Sequence, residues 1–382
     1  MIRQHKHVFI YGFAIFAMFF GSGNLVFPLQ IGQESGHYWL IGFLGLFVTG
    51  ILLPFLGLFV IKLHRGSYTA FFSEAGTLAQ VALPFFTLSL IGAFGVVPRC
   101  ITVAHGSIGY IFPHLSLGVF SFLFCVACFL ISVREHFMIT VLGKWMTPFL
   151  LISLIVLIVL GVIHAPSLIS TAATPSTAFE NGFLIGYQTM DLFAAFFFSS
   201  LIFKQIQGQN DNMSYRDVLK VALKPSLIGC FLLTAIYFGF VFLGAQYKFV
   251  TTNVSPELIL PTIAAHLMGV KSVILIGLIV LFSCLTTAIA LNNIYATYLC
   301  SLFKLKDRWF LSVLFITTSL SFFVSLLDFR GIAAFLTPLL KMSYPSLILL
   351  TLMSIFLKDY KKLKISVFYG VLTLMIVQKY FG

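Results

Sequence analysis

Asp191 is the one carboxylate that falls inside an apolar run of this chain, and it follows the polar row Tyr187-Gln188-Thr189. A carboxylate at that depth is costly to bury and usually marks a functional position. It can cap a half-helix, hold an ammonium group or a cation, or pair with a neighbour such as Arg99 or Lys341. A second unusual stretch is Gly21-Ser22-Gly23-Asn24, followed by Phe27-Pro28. Two glycines, a serine and an asparagine weaken a helix where they stand, because Gly loses backbone entropy and Asn prefers caps and turns. The third is Ser283-Cys284-Leu285-Thr286-Thr287-Ala288. Adjacent hydroxyls plus a carbonyl one turn earlier suit a hard cation. The same hydroxyls more often bond back to their own helix.

The elements that must position these residues follow from composition. Of the 382 residues 60% are hydrophobic and only 9% charged, against about 25% charged in a soluble domain. Long apolar runs separated by short polar gaps read as membrane helices, because lipid leaves no partner for open backbone. A β-barrel, with its ten-residue alternating segments, is excluded. Eleven spans are predicted at about 8–29, 38–61, 81–111, 115–133, 145–163, 183–203, 221–245, 272–300, 309–327, 332–357 and 365–381. Trp39, Trp145 and Trp309 fall at span ends, where an indole prefers the headgroup boundary. The first apolar stretch is too long for a signal peptide and lacks a small-residue cleavage site, so it reads as a retained helix.

The net charge of +12 reflects loops rather than a nucleic-acid surface. With the N-terminus cytoplasmic, only Lys248, Lys271, Arg330 and Lys379 fall outside, and Arg99 and Lys341 lie within spans. Every other Lys and Arg is then inside. This predicts a multi-pass inner-membrane protein with its C-terminus outside. The external stretch 246–271 reads either as a short helix over a vestibule or as a plain connector. Cys125 and Cys128 read as packing residues, and His105, His114, His164 and His266 show no ligand spacing.

Spans one and six thus carry the break candidates, Gly21–Asn24 and Gly186–Asp191, five helices apart. That is the pattern of two inverted five-helix repeats with the site between the broken members. In carriers, free N–H groups at such breaks meet an anionic group and free carbonyls meet a cation. The rival reading is close packing through small residues. Arg99 follows Pro98, which removes a backbone donor, so Arg99 reads as filling the freed carbonyls or facing an aqueous path. Lys341, near Pro338 and Pro345, reads as a gating charge or a counter-ion to Asp191.

These stretches, with Pro98-Arg99, Asn181-Gly182-Phe183, Gly186-Tyr187, Thr189-Met190-Asp191, Cys284-Leu285, Thr287-Ala288 and Tyr344-Pro345, resemble the branched-chain amino acid:cation symporters, in that family's order and over most of the chain. The resemblance implies an all-α, leucine-transporter-like fold of the amino acid–polyamine–organocation superfamily. It would form one domain over 1–382: a first repeat at about 8–163, a second at 183–357 and an additional helix at 365–381. It implies a substrate site at Phe20, Gly21, Ser22, Gly23, Asn24, Gly186, Tyr187, Gln188, Thr189 and Asp191. It places a Na+ site at Ala17, Phe20, Ser283, Thr286 and Thr287, with H+ as the alternative coupling ion. Family members usually have twelve spans, one more than is read here. Lys341 is not part of the family pattern, which keeps the ion open. The function implied is symport of leucine, isoleucine or valine by alternating access, with no cofactor and no enzymatic chemistry. A carrier for another small neutral amino acid is the alternative. A channel would need repeated polar rings, an enzyme a nucleophile with its base, and a pump a phosphate-binding loop.

Overall fold

The computed structural model describes residues 2–133, 147–166, 173–208, 215–357 and 359–381. Among them there is no strand. The helices, in chain order, are α1 (Ile2–Phe19), α2 (Ser22–Ser35), α3 (Trp39–Phe47), α4 (Leu53–Leu63), α5 (Tyr68–Phe72) and α6 (Thr77–Ile91). They continue with α7 (Val96–Gly109), α8 (Leu117–Ser132), α9 (Thr147–Ile163), α10 (Pro175–Gln188), α11 (Asp191–Gly208) and α12 (Tyr215–Gln246). The last are α13 (Lys248–Thr251), α14 (Ile259–Met268), α15 (Val270–Leu302), α16 (Phe310–Ser325), α17 (Asp328–Phe356) and α18 (Lys361–Phe381).

Each of the eleven predicted spans overlaps helix among the described residues; the boundaries shift, most at the sixth, whose helix begins at Pro175 rather than 183. Among the described residues six helical runs are long and apolar enough to cross a membrane, and α10 with α11, bent by 44° at their break, make a seventh if the pair is one span. α8 and α9 are shorter apolar helices. Trp145 and residues 167–172, between the fifth and sixth predicted spans, lie outside the described residues. Local chemistry explains several starts. Ser116 accepts from Val119 N at the head of α8, and Thr174 accepts from Thr177 N ahead of Pro175 in the first turn of α10. The stretch 246–271 is helical: α13 and α14 flank a 3₁₀ turn at Pro256–Leu258, and Ile259, Leu260, Ile263 and Ala264 are buried.

Two groups of helices share the core. α2, α3, α4, α10, α11 and α12 pack on one another, and α7, α8, α15 and α16 form a second set. Backbone proximity makes the first set close. A Cβ on Gly182 would fall 2.1 Å from Gly42 O, and one on Gly186 would fall 1.8 Å from Thr49 Oγ1. Only glycine permits that approach between α10 and α3.

Two cations counted as loop charges are in fact buried. Lys62 donates to Ser226 Oγ at 2.5 Å, and Lys364 forms a 2.8 Å ion pair with Glu74. Each lysine is 1% exposed, and α18 is docked on the Ser73–Ala75 turn through a part-buried pair. Lys341 is exposed, so it is no counter-ion to Asp191. Cys125 and Cys128 are buried free thiols, consistent with packing.

Two outcomes follow from this architecture. Gly186→Ala should lower detergent unfolding stability by about 1–3 kcal/mol through overpacking, and adding Thr49→Ala should recover part of the loss; unchanged melting of the single variant would contradict the seam. Burial raises the Glu257 carboxyl pKa above its ordinary value, and Arg330 works against that rise. A raised folded pKa means stability present at low pH and lost as pH climbs through the folded value. Glu257→Gln should therefore melt higher than wild type at neutral pH, with the gap closing as the pH is lowered toward about 4.

Candidate functional site

The first break is where the sequence places it. α1 ends at Phe19, Phe20 and Gly21 lie outside helix, and α2 restarts at Ser22. Gly21 is extended, and its N–H donates to Phe19 O at 2.7 Å and to Asn24 Oδ1 at 3.4 Å. The first N–H groups of α2 have no acceptor in their own helix. Gly21 is needed because a Cβ there would fall 2.8 Å from Thr287 Cγ2.

The second break comes later than the glycine suggests. Gly186 is a packing residue inside α10; the helix stops at Gln188, and Met190 takes the left-handed conformation at φ 57°. A non-glycine residue there costs about 1–2 kcal/mol. Thr189 Oγ1 secures the turn by donating to Gly186 O at 2.9 Å and accepting from Asp191 N at 3.4 Å. Thr189, not Asp191, caps the second half-helix. The two breaks touch: a Cβ on Gly23 would lie 3.2 Å from Thr189 Cα.

A third break, between α6 and α7, spans Gly92–Gly95. Its Gly95 faces Met190, whose Cε would lie 3.0 Å from an added Cβ. This break changes the reading of Pro98. The proline sits in the first turn of α7, where its missing N–H frees no carbonyl.

Asp191 is 3% exposed and is held by two donors. Asn24 Nδ2 donates to its Oδ2 at 2.7 Å and the Tyr237 hydroxyl donates to the same oxygen at 3.0 Å. Asn24 also bonds Tyr237. No ion pair joins Asp191 to a cation among the described residues. Arg99 instead donates from Nη1 to Gln188 O at 2.7 Å, the free end of α10, with its guanidinium 5.4 Å from the Phe27 ring.

The hydroxyls of α15 divide in role. Ser283 Oγ donates to the Phe20 carbonyl at 2.5 Å, while Thr286 bonds back to Ser283 O at 2.8 Å. Thr287 Oγ1 is buried without a hydrogen-bond partner beside Gly21. Phe20, Ser283 and Thr287 therefore converge on the first break. Of the other residues in the cation set, Thr286 is engaged in its own helix and Ala17 is half-buried in α1. No cluster of His, Cys, Asp or Glu with metal-binding geometry occurs among the described residues, so a cation here would meet hydroxyl and carbonyl oxygens.

Of the substrate set, Gly21, Ser22, Gly23, Asn24, Thr189 and Asp191 surround the paired breaks. Tyr187 turns to stack on Tyr344 with centroids 4.5 Å apart, and Gln188 Nε2 donates to Thr337 Oγ1 at 2.7 Å. Tyr237 is a site residue that sequence reading misses. Its signal is a phenol within the apolar run of α12, because a buried hydroxyl must find a partner.

The chain matches the family described as branched-chain amino acid transport protein over residues 4–380. It is 29% identical over 377 residues to the branched-chain amino acid permease BrnQ of Corynebacterium glutamicum, covering 97% of this chain and 86% of that one. It is also 29% identical over 376 residues to the permease BraB of Bacillus subtilis, covering 94% and 81%. Among solved structures it resembles MhsT in complex with L-phenylalanine, with TM-score 0.61, 17% identity, and 96% and 97% of the two chains covered. It also resembles Mhp1, a nucleobase-cation-symport-1 transporter, with TM-score 0.63, 16% identity and 92% and 78% covered. At these identities the structural likeness carries the fold alone, and that fold is the leucine-transporter-like one. The matching family and the named permeases, not the fold, mark the chain as a membrane transporter rather than an enzyme. The chain belongs to the branched-chain amino acid transport family.

Tyr237→Phe removes one of the two donors to a buried carboxylate. It should destabilise the purified protein by about 1.5–3 kcal/mol in thermal unfolding. A melting curve identical to wild type would show that the phenol does not hold Asp191.

Proposed function

We propose that this protein imports leucine, isoleucine and valine across the inner membrane by symport with Na+, through alternating access, with its N-terminus cytoplasmic. The substrate preference rests on the family and on relatives named as branched-chain amino acid permeases. An apolar pocket separates side chains differing by a methylene by only about 1–3 kcal/mol, so all three should be accepted. The amino acid lies between the breaks, its backbone end against the head of α2 and its amino group toward the carbonyls of Phe20 and the end of α10.

The observation that carries Na+ coupling is the convergence of the Phe20 carbonyl, the Ser283 hydroxyl and the unpartnered Thr287 Oγ1. Three oxygens at a break that tolerates irregular backbone suit a hard cation. A second reading is favoured by a different observation. Asp191 is buried, charge-unpaired and held only by neutral donors, which suits a carboxyl that takes up and releases a proton.

Uptake of radiolabelled leucine into proteoliposomes separates the two. Under an inward Na+ gradient, accumulation that Thr287→Ala reduces at least tenfold is the expected result. Accumulation driven by a proton gradient and lost in Asp191→Asn would transfer the coupling to Asp191. No accumulation of leucine, isoleucine or valine under either gradient would end the substrate assignment.

A further inference from the structure

Arg99 is fully buried, yet only one of its three guanidinium nitrogens is hydrogen-bonded. Nη1 caps Gln188 O, while Nε and Nη2 have no hydrogen-bond partner. No carboxylate lies within ion-pair distance of it among the described residues. A guanidinium cannot shed its charge to relieve this, so the buried cation is left with the Phe27 ring and the more distant charge of Asp191 in place of a contact ion pair. Nε and Nη2 form one edge of the planar fork, the edge that matches the two oxygens of a carboxylate.

The surroundings say what that edge faces. Arg99 stands in the first turn of α7, beside the ring of Phe27 and the end of α10. Phe27 also lies against Gly23, 3.3 Å from where a Cβ would be, and Cys100 Sγ reaches Ser22 Oγ at 3.6 Å. The unfilled edge thus shares its neighbourhood with the free N–H groups at the head of α2. The acidic group nearest to hand, Asp191, is already held by Asn24 and Tyr237.

We propose that the Nε–Nη2 edge of Arg99 binds the carboxylate of the transported amino acid, together with the N–H groups of α2. This deepens the proposed function and rests on it. The class of substrate is then set by a free carboxylate: amides, esters and alcohols of the same side chain are rejected because they leave the guanidinium unpaired. Fixing Nη1 on the α10 carbonyl pre-orients the fork, so that the ligand meets it without a rotamer search.

The test is a set of thermal-stabilisation titrations of purified protein in detergent, with Na+ present and at a pH that keeps both amines protonated. Leucine is compared with leucinamide, in wild type and in Arg99→Gln. Wild type should prefer leucine by roughly 30-fold or more, as loss of one partner of a buried charge pair implies. In Arg99→Gln that preference should collapse to within about threefold, because leucine weakens and leucinamide does not. Arg99→Lys keeps the charge but not the fork, and should fall between the two; it carries the test if Arg99→Gln fails to fold. A preference retained in both variants, or weakened equally for both ligands, would reduce Arg99 to a cap on α10 and overturn the proposal. Stabilisation of wild type by chloride, absent in Arg99→Gln and with the leucine preference intact, would assign the edge to an inorganic anion and overturn it too. If leucine, isoleucine and valine all fail to bind wild type, the substrate assignment fails by itself. The same acid–amide comparison with the amino acids that do bind then decides the role of Arg99.

Discussion

In lipid a backbone N–H or C=O without a partner carries a penalty of several kcal/mol, and the rest of this structure depends on how that penalty is met at the two facing interruptions. Phe20 O takes the Ser283 hydroxyl, Gln188 O takes Arg99, Gly21 N takes Asn24 Oδ1 and Asp191 N takes Thr189 Oγ1. Each of these partners is a side chain that is costly to bury. The breaks and the polar residues therefore require one another. A helix cannot open here without Arg99, Asn24 or Ser283, and those side chains have no reason to be buried without the openings.

The same constraint explains which parts of the site were legible in the sequence. Gly21-Ser22-Gly23-Asn24 announces a break by residue type alone, because every member is a poor helix former, and α1 stops within two residues of it. The sixth span misleads. Gly186 looks like the hinge, but its missing side chain makes room for Thr49. The chain turns instead at Met190, whose left-handed backbone is imposed by Thr189 and by the neighbouring helices, not by methionine's own preference. Pro98 misleads in the same way. It looks like a kink and is a benign first-turn residue, because the interruption lies upstream at Gly92–Gly95. Asp191 is legible as special, but its partners are not. Tyr237 is 46 residues away and Asn24 is 167 away, and nothing in local spacing links them. Charge counting also treats Lys62 and Lys364 as loop residues, whereas tertiary packing buries both.

The division of the core into two helix sets gives the site residues different mechanical roles. Asn24, Asp191 and Tyr237 belong to α2, α11 and α12, all members of one set. Their hydrogen bonds tie that set together and do not report its position against the other. Arg99 on α7 and Ser283 and Thr287 on α15 belong to the second set. Their bonds to Gln188 O and Phe20 O cross the boundary between the two.

Relative motion of the sets must therefore break or exchange crossing bonds such as these first: a hydroxyl on one carbonyl, one arm of a guanidinium on another, and the Cys100 thiol on Ser22 Oγ. The first two leave donors or acceptors over, on Arg99 and on Thr287. An anionic group on Arg99 and a cation beside Thr287 would add contacts at the boundary itself, where bound groups can favour one relative placement of the sets over another. A group bound wholly within the first set, as at Asp191, has no such differential contact unless its charge changes. Under the proposed function, coupling of ligand to movement would therefore be concentrated at the boundary residues. The buried carboxylate, for all its prominence in the sequence, acts on that boundary only through the helices it holds together.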